Sequence, residues 1–196
     1  MAQGGAVPVV RLSTSIAPLT AMAAGAGVSL YLLPMPGAAF AAALAVVAVF
    51  IAAVDIEHLI VPDTANALLF AAGLALVVVD AGGTFAWPEL GQALLRAVVC
   101  GAAFLGLRYV YMRRSGVEGL GLGDVKLVAA AAPWLAWTSL PIALLIASVG
   151  GLLAVAVRAL VARSAPDRSA EIPFGAFLAP AIWVAFMIER GGYLPG

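Results

Sequence analysis

Two short strings hold the side chains best suited to chemistry. One is Asp55-Ile56-Glu57-His58-Leu59-Ile60-Val61-Pro62-Asp63, the other Gly119-Leu120-Gly121-Leu122-Gly123-Asp124-Val125-Lys126. Each sets an aspartate at the edge of a long apolar run, where a carboxylate is costly and rarely kept without a task. If Asp55 and Asp124 meet, they cannot both ionise cheaply, and the pair shares a proton. The ionised member then takes a proton from water, and the protonated member donates to a carbonyl oxygen as it becomes tetrahedral. That is peptide hydrolysis with no metal and no covalent intermediate, and a low dielectric strengthens it. The sequence leaves open which aspartate starts protonated. It also leaves a plainer reading, in which Asp124 is the N-cap of a helix and Asp55 a boundary charge.

The elements that must position these carboxylates are membrane helices. The chain has 196 residues, of which 64% are hydrophobic and only 10% charged, with mean hydropathy +1.11. Soluble domains carry roughly a quarter charged residues, so a soluble fold would leave apolar surface with nowhere to hide. The fold expected is an all-α polytopic membrane domain, taken as a single unit over residues 1–196. The formal net charge is zero, which gives no electrostatic footprint for nucleic acid. One cysteine, Cys100, and one histidine, His58, provide neither an internal disulfide nor a transition-metal ligand set. No cofactor and no metal are expected.

Seven spans are predicted: Ser13–Leu33, Ala38–Val54, Thr64–Val79, Leu90–Met112, Val125–Ser139, Pro141–Val161 and Pro173–Ile188. Turn chemistry separates them, as at Pro34-Met35-Pro36-Gly37 and Val61-Pro62-Asp63, with Thr138-Ser139-Leu140-Pro141 as the break between spans five and six. A cytoplasmic N-terminus sets Arg11, Arg108, Arg113, Arg114, Lys126, Arg158, Arg163 and Arg168 at or near cytoplasmic ends. Trp87, Trp134, Trp137 and Tyr193 then fall at the outer interface. Asp55 ends span two and Asp124 begins span five. Two crossings separate them, so both face the cytoplasm.

Gly119, Gly121 and Gly123 alternate ahead of Asp124. They predict a bendable loop beside which an extended substrate chain can lie, and which orders when that chain arrives. Asp63 and Thr64 most simply cap span three, with Pro62 stopping the element before it. Lys126 either eases the charge of Asp124 or anchors its helix at the headgroups. His58 reads as an interfacial polar residue. Arg96, inside span four, has Glu89 as a possible partner on its own helix.

Asp55 followed by Pro62-Asp63, then Gly121-Leu122-Gly123-Asp124-Val125-Lys126, resembles the type IV prepilin peptidases, the GxGD-type membrane aspartic proteases. Ile172-Pro173-Phe174-Gly175-Ala176-Phe177-Leu178 is similar to the segment that opens the last helix of that family. The resemblance implies Asp55 and Asp124 as the catalytic pair. It makes Gly121, Gly123, Pro62, Asp63, Lys126, Phe174 and Gly175 candidates for substrate binding. It also implies a multi-pass protein of the bacterial inner membrane with its active site facing the cytoplasm. The substrate implied is a prepilin or pseudopilin precursor, held in the lipid bilayer, with a short basic leader that is cut off just before a long apolar helix. The acidic Asp55–Glu57–Asp63 loop suits such a leader. Many bacterial members carry a cytoplasmic domain with paired CxxC motifs linked to N-methylation. Between the first two spans this chain has only Pro34-Met35-Pro36-Gly37, so peptidase rather than methyltransferase activity is expected. The competing class is a proton-coupled transporter or channel using boundary carboxylates. Against it, no internal repeat is evident, and both aspartates sit at span ends rather than mid-membrane.

Overall fold

The computed structural model describes residues 16–83, 87–116, 119–162 and 172–193. Arg11, Arg163, Arg168 and the start of the first predicted span lie outside the described residues. Seven helices run in order: α1 (Ile16–Leu32), α2 (Gly37–His58), α3 (Asp63–Asp80), α4 (Trp87–Ser115), α5 (Leu122–Ala131), α6 (Ser139–Ala162) and α7 (Phe174–Arg190). Four of them, α2, α3, α4 and α6, are long and apolar enough to cross a membrane. The chain is an all-α, multi-pass membrane protein.

Packing centres on α2, α5 and α7. Helix α2 lies between α1 and α7, α6 covers α7, and α5 fills the space bounded by α3, α4 and α7. The buried stripe of α2 is Ala41, Leu44, Ala48, Ile51 and Asp55, spaced by threes and fours. Its alanines let neighbouring backbones come close; a Cβ on Gly25 of α1 would lie 2.9 Å from that of Ala45. Asp55 is thus the last residue of a core-facing stripe. On α5 the buried stripe is Asp124, Leu127, Val128 and Ala131, so the second aspartate opens a stripe as the first closes one.

The fifth element departs from expectation. Helix α5 has 10 residues, about 15 Å of rise, too short to cross alone. It stops at Ala131 because Pro133 has no N–H to extend the ladder. The chain then passes through a buried turn containing Trp134 and Leu135. The break expected at Thr138-Ser139-Leu140-Pro141 is there, but it opens earlier, after Ala131: α6 starts at Ser139, and Pro141 sits in its first turn, where the missing donor costs nothing. Trp134 is also not an interfacial belt residue. It is 3% exposed, its indole N–H donates to the carbonyl of Leu69 at 2.8 Å, and its ring meets Phe40 and Phe186 edge-on. Trp87, Trp137 and Tyr193 are exposed, as interfacial aromatics should be. Cys100 packs against the core.

Two charged side chains, Arg96 of α4 and Glu189 of α7, brace that turn. Arg96 donates from Nε to the carbonyl of Ala132 at 3.1 Å, which makes it a cap for α5 rather than a partner of Glu89. Glu189 accepts from the amide of Ala136 at 3.0 Å. Beside it, Arg190 clamps Asp80 of α3 and lies over the Phe186 ring.

Gly73 gives Trp134 its room, since a Cβ there would stand 2.7 Å from the indole nitrogen and 2.9 Å from Pro133. Gly73→Leu should therefore lower the thermal transition of the purified protein by several degrees. Gly27→Leu, where nothing lies within 4 Å, should leave it unchanged. Calorimetry or a fluorescence melt in detergent checks both.

Candidate active site

One end of the bundle gathers the C-terminus of α2 and the N-termini of α5 and α7. Helix α2 ends at Leu59, which adopts a left-handed conformation (φ 54°) and donates its amide to the carbonyl of Asp55 at 2.9 Å. A side chain disfavours that conformation, yet it reverses the chain and returns Val61 to the bundle, 6% exposed. Pro62, extended at φ −64° and ψ 131°, then starts α3.

Asp55 is buried. Its Oδ2 accepts the backbone N–H of Ala176 at 2.8 Å, and the amide of Gly175 is a second backbone donor to it. Helix α7 begins after Pro173, which offers no side-chain cap. The first amides of any helix lack partners, and here Asp55 serves as their cap from another helix. Asp124 does the equivalent for its own helix. It stands three residues after Gly121, the N-cap of α5, and reaches back to that backbone amide. This is the return half of a capping box. Asp124 is therefore not the N-cap itself. It lies in the first turn of α5, outside the four spanning helices, and is 8% exposed. Burial, chiefly, and then the negative charge of Asp55 push its carboxyl up to about 6, against the opposing hydrogen bond from Gly121.

Val61 packs against both Gly123, which precedes Asp124, and Gly175, which lies against Asp55. A Cβ on Gly123 would lie 3.0 Å from Val61 Cβ; one on Gly175 would lie 2.8 Å from Val61 Cγ2 and 3.0 Å from Asp55 Oδ2; one on Gly121 would lie 3.1 Å from Asp124 Oδ2. The structure thus brings Asp55, Asp124, Gly121, Gly123 and Gly175 together, with the glycines providing clearance. The other candidates stand differently. Asp63 and Lys126 pair with each other at 2.7 Å on the exposed rim. Asp63 makes no cap for α3, and Lys126 is bound to Asp63. Pro62 is the N-cap of α3 and its carbonyl accepts the amide of Asn66. Phe174 packs against the core. His58 is exposed, 4.0 Å from the Glu57 carboxylate. Among the described residues no three His, Cys, Asp or Glu side chains form a metal-binding group.

Sequence reasoning passed over Val61, Arg108 and Tyr111. The Arg108 guanidinium donates to the carbonyl of Leu120, and Gly119 lies so close to the Tyr111 ring that a Cβ would meet its Cε1 at 2.2 Å. The glycine loop is thereby anchored to α4 on its approach to Asp124. The run of charged and aromatic residues Arg108–Arg114 was the one available signal; an apolar valine offered none.

Fold and site define a multi-pass helical membrane protein with two buried carboxylates at one end of its bundle, near enough for the charge of one to raise the pKa of the other. Comparison with known proteins gives the family. The model of the type IV leader peptidase family matches residues 42–156, and the chain belongs to that family. A prepilin leader peptidase/N-methyltransferase of Aeromonas hydrophila is 32% identical over 181 residues, 92% of this chain and 57% of that protein. One from Burkholderia pseudomallei (strain K96243) is 37% identical over 180 residues, 90% of this chain and 52% of its own length. One from Stutzerimonas stutzeri is 34% identical over 134 residues, covering 68% and 44%. The chain thus spans about half the length of the curated relatives it matches. No solved structure matches.

Two predictions follow from this geometry. Gly175→Ala should cripple whatever the site does while the protein still folds, and Val61→Ala in the same chain should restore part of the loss by vacating the space. Activity of the single and double variants checks the coupling. The second concerns pH. The folded-state pKa of Asp124 lies above the ordinary 3.8, so the folded state holds a proton that the unfolded chain releases, and stability falls as pH rises from about 4 to 6. Asp124→Asn should flatten that fall and raise stability at pH 7 by roughly 1–3 kcal/mol, read from melts across that range.

Proposed function

We propose that this chain is a membrane aspartic endopeptidase that removes the short leader of type IV prepilin-like precursors, with Asp55 and Asp124 as its catalytic pair. The observation that carries this reading is the convergence of the two carboxylates at one end of the bundle, in a chain of the leader peptidase family. The relatives' name, prepilin leader peptidase, supports the substrate class.

Asp124 holds its proton more tightly through burial and the charge beside it, and is the acid. Asp55, which accepts amides at the start of α7, is the base. Asp55 takes a proton from water as the water oxygen bonds to the scissile carbonyl carbon. Asp124 gives its proton to the carbonyl oxygen, forming a gem-diol. Asp55 then returns its proton to the amide nitrogen, Asp124 recovers one from a diol hydroxyl, and the carbon–nitrogen bond breaks. Both aspartates end as they began.

The site faces the cytoplasm of the bacterial inner membrane, a placement supported by the bias of Lys and Arg toward that end. Exposed Glu57, in the last turn of α2, flanks the site and favours a basic leader. The activity proposed for these residues is proteolysis. A transporter reading has no observation in its favour.

Asp55→Asn and Asp124→Asn should each reduce cleavage of a purified prepilin precursor by at least a thousandfold while the protein is still expressed, inserted and folded. An asparagine cannot exchange the proton that either role requires. Cleavage should survive chelators, and Cys100→Ser should cut normally. Gel-shift assays of the precursor read all three; near-normal turnover by either asparagine variant would remove the pair from the mechanism.

A further inference from the structure

A lateral groove runs down the bundle between α3 and α4, floored at one end by α5. Its upper cavity, about 510 Å³, is lined by Asn66, Ala67, Phe70, Ala97 and Val98 and is bounded at the rim by the Asp63–Lys126 pair. Its lower cavity, about 480 Å³, is apolar and runs to Trp87. Leu94 lines both, so the two cavities adjoin along the α3–α4 face. The floor is close because Gly101 of α4 meets Ala129 of α5, where an added Cβ would stand at 3.2 Å.

The odd residue in this groove is Asn66. It is 6% exposed, and neither its amide nitrogen nor its amide oxygen has a hydrogen-bond partner. Leaving a buried polar group unpaired is costly, and an alanine or leucine would serve better as mere packing. Both a donor and an acceptor are open, so the fitting partner offers both at once: an amide or a protonated carboxyl. Asn66 lies three residues after Asp63, one helical turn below the rim, and Lys126 on that rim is two residues past Asp124.

We propose that this groove seats the apolar helix of the precursor, with Asn66 hydrogen-bonding a polar side chain about one turn into that helix. The inference rests on the peptidase reading above and names where its substrate lies. A bilayer-embedded helix can reach the carboxylates only from the lipid side, and this groove lies between two helices long and apolar enough to cross a membrane, with Lys126, two residues past Asp124, in its lining. Helix α3, with 18 residues, has about 27 Å of rise, close to the hydrocarbon thickness that a substrate helix must also match. Ala67, Gly91 and Ala97 leave a shallow floor against which a helix can pack closely.

The test uses the full chain in lipid nanodiscs. The probe is a precursor with a basic leader, a glycine and an apolar helix of about 20 residues. That helix carries one glutamine a turn from its start, or leucine there instead. In an Asp124→Asn background, a benzophenone side chain at Ala67 or Val98 should cross-link to the precursor's helix, and one at Leu152, exposed on α6, should not. In the active protein, Asn66→Leu should raise KM for the glutamine precursor about tenfold. It should not raise KM for the leucine precursor, and its melting temperature should hold or rise. Cleavage that persists with cross-links from Leu152 alone, or an Asn66→Leu that treats both precursors as the parent does, overturns the groove and leaves the peptidase. A parent protein that cuts neither precursor overturns both.

Discussion

A carboxylate taken out of water must be met by donors, and the end of this bundle is organised around that requirement. Asp55 is the last residue of the buried stripe of α2, and its Oδ2 takes the amides that open α7. One hydrogen bond thus satisfies both a buried anion and the unpartnered start of a helix. It also fixes the angle at which α7 enters the bundle, and with it Gly175, Val61 and the space left for Asp124. Loss of that bond would leave a buried carboxylate and the opening amide of a helix without their partner.

Asp124 solves the same problem within its own helix, by reaching back to the amide of Gly121. The two carboxylates therefore differ in a way that their shared residue type conceals. One is tied to a neighbouring helix, the other to its own first turn and, through the glycine loop, to Arg108 and Tyr111 of α4. A loop held at Leu120 and Gly119 has few ways to move Asp124 other than with α4. Motion at this site is accordingly a matter of helix positions as much as of glycine freedom.

The opposite end is built by a different device. Arg96 and Glu189 are placed in the bundle to hold the backbone of a turn, at Ala132 and Ala136. Charges in such positions often mark transport paths. Here one takes up a carbonyl at the end of α5 and the other an amide in the turn leading into α6, so their role is structural.

Much was legible in the chain itself. Seven apolar runs separated by Pro and Gly, and a charge content far too low for a soluble surface, determined an all-helical membrane protein. Parity of crossings alone required Asp55 and Asp124 to share an end, and the spacing of glycines marked where backbones come close. What sequence could not supply were contacts between residues far apart in the chain. Pro141 announces the start of a helix on the page, whereas Pro133 gives no local sign that a helix ends before it. Trp134 reads as a belt residue until Leu69 offers its indole a carbonyl and Gly73 makes room for its ring. Val61 carries no chemical mark, and Asn66 shows its importance only when both amide atoms prove to be buried and unpaired. Periodicity and hydropathy are local properties, so the chain declares its helices and its polar residues. Which buried group finds a partner depends on how those helices pack, and tertiary structure alone decided it.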